Sequence, residues 1–216
     1  EAGLSLVARG FAAVGSDGET VDISAPLAEV VATACNPDRW LLVRVRGDAE
    51  GVIVVAIDAD RAVVDQAVFP GVYAITGDTE ARVRGRIESR LFELIEGGGV
   101  ADDGAPLDVD VIPIVDGLPV FPAAWGAVVA VQLRAGSRED SGTGEPTGGT
   151  YRSFAIGDAG CFLLDEVDDG SGLRARAASA EQVRHTVVHV LDSCFTRSTA
   201  IPNQTGYGVP DGLVNN

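Results

Sequence analysis

The apolar positions of this chain change period twice, in the same order each time. From Trp40 to Arg46, Val43 and Val45 alternate with Arg44 and Arg46, a period of two that predicts a half-exposed strand. Gly51 to Ile57 is almost wholly apolar, which predicts a central strand covered on both faces. Ala62 to Phe69 and Val72 to Ile75 follow, punctuated by Asp58-Ala59-Asp60 and Phe69-Pro70-Gly71. The period then lengthens. Val83, Ile87, Leu91 and Leu94 fall on one face of a helix from Thr79 to Glu96, which Gly97-Gly98-Gly99 terminates. The order recurs in Trp125–Arg134, Tyr151–Ile156, Cys161–Val167 and Leu173–Ala177. A second helix closes it, Ser179–Phe195, opened by the capping box Ser179/Gln182 and carrying Val183, Val187, Val190, Leu191 and Cys194. A repeated supersecondary unit fixes the expected fold class. It is α+β, with two pseudo-symmetric halves, each an antiparallel β-meander followed by an α-helix.

The remaining segments fit around these halves. Leu4–Phe11 and Thr20–Ile23 read as short strands, and Ser24 caps a helix over Ala25–Ala34 with Pro26 in its first turn, where a missing N–H does no harm. Val109–Phe121 is apolar but broken by Pro113 and Pro119, which predicts an extended edge segment. The division expected is a first half over residues 1–96, a linker over 97–106, a second half over 107–195 and a flexible tail over 196–216, all within one globular body. The run between Ala135 and Gly149, Gly136 to Gly148, holds nothing that can bury apolar surface and reads as a mobile loop.

Charge narrows the partners. The 216 residues carry a formal charge of −16, and all sixteen bases are arginine. Such a surface repels nucleic-acid phosphates and anionic membranes, so neither is expected to bind. The longest apolar run, Val120–Val131, is interrupted by Pro122 and Gly126 and is too short to span a bilayer. Cys35, Cys161 and Cys194 have no metal-site spacing and read as reduced structural thiols. His185 and His189 lie four apart on the last helix, but Thr186 stands where a zinc-protease motif needs glutamate. Asp102-Asp103 and Asp168-Asp169 sit in glycine-rich turns that favour aspartate for local backbone bonding. No catalytic, cofactor-binding or metal-binding residue is expected, and the chain does not read as an enzyme. What remains is apolar surface. Phe92 and Ile95 on the first repeat helix, and Val188 and Phe195 on the second, lie off the main buried stripes. They imply either packing of the two helices on each other or a docking surface for a partner.

The order of four strands and a helix, repeated, resembles the EspG-type chaperones of type VII (ESX) secretion systems of mycobacteria and related actinobacteria. The residues that carry the resemblance are Leu27–Pro37, Trp40–Ile57 and the helix at Thr79. In the second half they are Val128–Val131, Tyr151–Asp158 and Ala178–Asp192. The resemblance implies a quasi-two-fold α+β protein of the cytoplasm, without cofactor, that keeps PE–PPE heterodimers soluble by covering an apolar tip of the helical PPE protein. It transfers no residue as a site. The chain departs from the family in being shorter and in lacking a helical stretch before the second sheet. Tyr207-x-x-x-Asp211 fits the Tyr-x-x-x-Asp/Glu export signal of type VII substrates at its two fixed positions only. The alternative is a structural or self-associating domain, a homodimer formed through the repeat helices.

Overall fold

The computed structural model describes residues 12–14, 16, 21–47, 50–69, 72–98, 111–115, 118–138, 149–167 and 172–196, and every structural statement here concerns these. The expected strand over Leu4–Phe11, most of the linker over 97–106 and the motif at Tyr207 lie outside them. A short hairpin, β1 (Ala12–Val14) and β2 (Val21–Ile23), precedes helix α1 (Ala25–Cys35). The first meander is β3 (Arg39–Arg46), β4 (Gly51–Asp58), β5 (Arg61–Phe69) and β6 (Val72–Thr79), followed by α2 (Glu80–Gly97). After the hairpin β7 (Ile112–Val115) and β8 (Leu118–Pro119) comes the second meander. It consists of β9 (Val129–Ser137), β10 (Thr150–Gly157), β11 (Gly160–Glu166) and β12 (Gly172–Ala178), followed by α3 (Ala180–Phe195). The fold is α+β.

The meanders join through their first strands. β3 pairs antiparallel with β9 from Arg39↔Ser137 to Arg46↔Ala130. One ten-stranded sheet results, ordered β6-β5-β4-β3-β9-β10-β11-β12-β7-β8. The proline-broken segment is at the edge, as its missing donors require. Successive side chains of a strand point to opposite faces, and the two faces of this sheet are covered differently.

Both long helices lie on one face. Leu41, Val43, Val55 and Ile57 from the first meander, with Val131, Leu133, Phe154 and Ile156 from the second, meet Val83, Ile87, Leu91 and Ile95 of α2. From α3 they meet Val183, Val187, Leu191 and Cys194. Each such burial stabilises by roughly 1.5–3 kcal/mol. Across the helix pair, Arg84 of α2 reaches Asp192 of α3 at 2.6 Å and Arg184 of α3 reaches Glu96 of α2 at 2.5 Å, so the helices run antiparallel. Arg39 ties the layers together. Its guanidinium donates to both carboxylate oxygens of Glu80 at 3.1 Å and to the Cys194 carbonyl at 2.8 Å.

The opposite face carries two separate covers. α1 lies over β4 and β5, burying Thr33 and Ala56, with Val30 against Gly77. At the far side, Trp125 is fully buried and stacks on Phe162 with ring centroids 3.6 Å apart, in a cluster with Ile112, Leu164, Leu173 and Ala175.

Three expectations change. Trp125 does not open a strand: it sits in a 3₁₀ turn over Ala123–Trp125, and the strand begins at Val129. Gly126 causes the break, with φ +70° and a Cβ position that would collide with the Asp158 carboxylate. β4 is covered on both faces only at Val55–Ile57, because α1 stops short of Val54, which is 39% exposed. The loop after β9 starts later than its composition implies. Ala135, Gly136 and Ser137 continue the ladder opposite Leu41, Trp40 and Arg39, with the Trp40 indole lying over Gly136.

Candidate protein-docking surface

The four apolar residues that sequence placed off the main helical stripes separate into two kinds. Ile95 and Phe195 are 2% and 7% exposed and belong to the core between helices and sheet, so they offer a partner no surface. Phe92 and Val188 are half-buried; Phe92 packs against the same core, and the Arg184 guanidinium lies 5.5 Å from its ring centroid. The helices turn Ile95, Phe195 and Phe92 into the core between helices and sheet. The four do not form one exposed patch.

The open surface is on the other side of the sheet. Between α1 and the Trp125 cluster, no helix among the described residues covers the centre of that face. A cross-strand row runs Ile75, Asp65, Val54, Leu42, Arg134, Tyr151 over β6, β5, β4, β3, β9 and β10. The next row carries Val52, Arg44, Gln132 and Ser153. Leu42 and Val52 are half-buried, while Val54 and Ile75 are 39% and 57% exposed. The Arg134 guanidinium sits 5.6 Å from the centroid of Trp40. Aliphatic side chains are therefore bracketed by arginines at the middle of a sheet whose ladder holds them rigidly.

Electrostatics mark the same region. The Tyr151 hydroxyl is pushed up from the ordinary phenol value, first by burial and then by the Glu166 carboxylate; Ser153, Arg134 and Arg44 oppose the shift. Tyr151 is thus a neutral hydroxyl able to donate or accept at physiological pH. Asp65 Oδ1 is buried in the same row without a hydrogen-bond partner among the described residues. An incoming donor would satisfy it.

Signals for this face exist in the sequence. On β3 the residues between the core positions are Leu42, Arg44 and Arg46; on β9 they are Gln132 and Arg134. A mixed row of this kind reads as ordinary solvent exposure unless the cross-strand neighbours Val52 and Val54 are known. Pairing, not periodicity, assembles the patch.

The other flagged residues lie apart from it. His185 and His189 are exposed on α3. Cys35 is exposed, whereas Cys161 and Cys194 are buried, and none forms a disulfide. Burial raises the Cys194 thiol to about 12, with Arg39 opposing and Glu80 adding to the shift. A second run of exposed apolar residues, Ile114, Val115, Leu118 and Val120, lies on the β7–β8 edge hairpin. No helix among the described residues is long and apolar enough to cross a membrane.

No family model matches the sequence. No curated protein matches it. Among solved structures, the chain is similar to the Mycobacterium tuberculosis type VII secretion system chaperone EspG5, determined in complex with a PE25–PPE41 dimer. The TM-score is 0.49 at 14% identity, covering 88% of this chain and 84% of the neighbour. At that identity no residue role passes from the neighbour to this chain.

Proposed function

We propose that this chain is a non-enzymatic chaperone or adaptor of the EspG type, which docks a helical PE–PPE-like secretion client on the bare centre of its sheet. The observation that carries the reading is the juxtaposition of Leu42, Val52 and Val54 with Arg44 and Arg134 on three neighbouring strands, left open by α1 and the Trp125 cluster. The residues that resemble the EspG family flank this face. Trp40–Ile57 covers β3 and β4 apart from Arg39 and Asp58, and Tyr151–Asp158 covers most of β10.

The mechanism follows from the geometry. Aliphatic side chains on a preformed sheet lose little conformational entropy when covered, so an apolar client tip gains the hydrophobic term at small ordering cost. Arg44, Arg134 and the Tyr151 hydroxyl bracket the contact and fix its register through polar bonds at the rim. The charge of −16 keeps the loaded complex soluble while the client's apolar tip is hidden.

Co-expression with PE–PPE-type heterodimers tests this. The expected result is a rise in soluble client and co-elution as one complex; client that stays insoluble and never co-elutes removes the proposal.

A further inference from the structure

α2 does not seat on its sheet as α3 does. A groove of about 550 Å³ runs beneath it, walled by Ile87, Leu91 and Leu94 from the helix and floored by Val45, Ile53 and Val64 from β3, β4 and β5. That volume is within the range of real ligand sites. Residue size explains the gap. Where the second meander fills its helix-facing layer with Phe154 opposite Leu163, the first has Val55 opposite Val64.

Two features set the groove apart from an ordinary solvent-facing margin. Its open end is lined by Ile53, Gln66 and Thr76, all uncharged, where the other meander carries a charge at the position of Ile53. Ile53, opposite Val43 on β3, corresponds to Arg152, opposite Leu133 on β9. The second feature is the rim. Arg82, Arg86 and Arg90 stand one turn apart on α2, with side chains 77%, 58% and 82% exposed. Arg86 and Arg90 border the groove itself. The same three places on α3 carry Gln182, Thr186 and Val190. Asp78 serves both Arg82 and Arg86, and Glu93 serves Arg90, so among the described residues three guanidinium groups face two carboxylates in a chain of net charge −16.

We infer that this groove is a second docking site, which takes an amphipathic helix of a partner protein whose apolar stripe is flanked by aspartate and glutamate. The charge pattern selects this occupant. Guanidinium groups spaced about 6 Å along a helix form a line parallel to the groove. A fatty acid would bring a single carboxylate, which one arginine satisfies. An acidic helix brings carboxylates at matching intervals, with its apolar side chains entering between α2 and the sheet in the helix-in-groove mode. The inference rests on residues separate from the bare sheet face, so either site can fail alone.

The test uses two labelled synthetic helical peptides with the same leucine stripe, one flanked by glutamate and one by lysine, titrated with the full chain by fluorescence anisotropy. The glutamate peptide is expected to bind saturably, and the lysine peptide at least about tenfold more weakly. Combined Arg82→Glu, Arg86→Glu and Arg90→Glu substitutions, with the far-UV circular dichroism unchanged, are expected to weaken the glutamate peptide by about tenfold or more. Leu94→Gln is expected to weaken it without changing its salt dependence. The inference is overturned if the glutamate peptide fails to saturate, if charge reversal leaves its affinity unchanged, or if both peptides bind alike. Stoichiometric displacement of that peptide by dodecanoate, with the arginine line immaterial, would also overturn it in favour of a small amphiphile.

Discussion

Arg39 joins three elements, β3, α2 and α3. Its side chain and that of Glu80 are 12% and 16% exposed, and the pair joins β3 to the start of α2 while a further N–H holds the Cys194 carbonyl near the end of α3. Arg39→Ala leaves Glu80 largely buried without its cation and is expected to destabilise by about 3 kcal/mol. A urea titration monitored by circular dichroism measures this; a loss within experimental error would show that the bidentate pair is structurally idle. Cys194 makes a second residue-scale test. Its thiol stays neutral in the folded chain up to about pH 12, against an ordinary value of 9.0. A raised folded value means that stability is fully present below pH 9 and declines from there toward about 12, because only the unfolded chain ionises in that window. Cys194→Ala is expected to flatten that part of the stability profile. In the native chain at pH 8, a thiol reagent should modify Cys35 alone, with Cys161 and Cys194 reacting after denaturation; equal reaction of all three would contradict their burial.

At the scale of elements, local chemistry accounts for much of what formed. The capping box written as Ser179 and Gln182 is present, with Ser179 N–H donating to Gln182 at 2.8 Å and Gln182 N–H to the Ser179 hydroxyl at 3.2 Å. Ser179→Ala should cost about 1 kcal/mol in thermal or urea unfolding. By contrast, Ser24 occupies the N-cap of α1 without a side-chain bond, so Pro26 and the packing of Val30 carry that helix start. The meanders and both long helices were readable because each has its own period and its own stop. What could not be read was cover. Val52–Ile57 has one composition throughout, yet its two ends face different neighbours, and that depends on where α1 lies. Trp125 matched Trp40 by position before an apolar run. Gly126 with φ +70° turns it instead into the centre of a cluster over β11. Trp125→Ala removes a fully buried indole stacked on Phe162 and is expected to cost about 4 kcal/mol. The candidate site was the least readable part. Apolar residues on two sides of a helix were visible in Phe92, Ile95, Val188 and Phe195, but the helix–helix and helix–sheet contacts consume most of that surface.

For the molecule as a whole, two β-meanders sharing one sheet give a broad platform with unlike sides. One side carries the antiparallel helix pair and its reciprocal ion pairs; the other, among the described residues, has no helix over its centre, where β3 meets β9. Rigid backbone, open aliphatic side chains and bracketing arginines are what the proposed docking at that centre rests on. Substitutions there should separate binding from folding. Val54 and Leu42 point away from the helix-side core, so Leu42→Asp and Val54→Asp are expected to leave the chain folded, with a lower unfolding midpoint because the new carboxylates face each other and Asp65 across the strands. The decisive measurement is the affinity of a purified PE–PPE heterodimer for the unaltered chain and for the Leu42→Asp/Val54→Asp variant, by titration calorimetry at matched ionic strength. Saturable one-to-one binding that the double substitution weakens by about a hundredfold is the predicted result. Equal affinity for both forms would place the client elsewhere, and no heat with either would deny the chain this role.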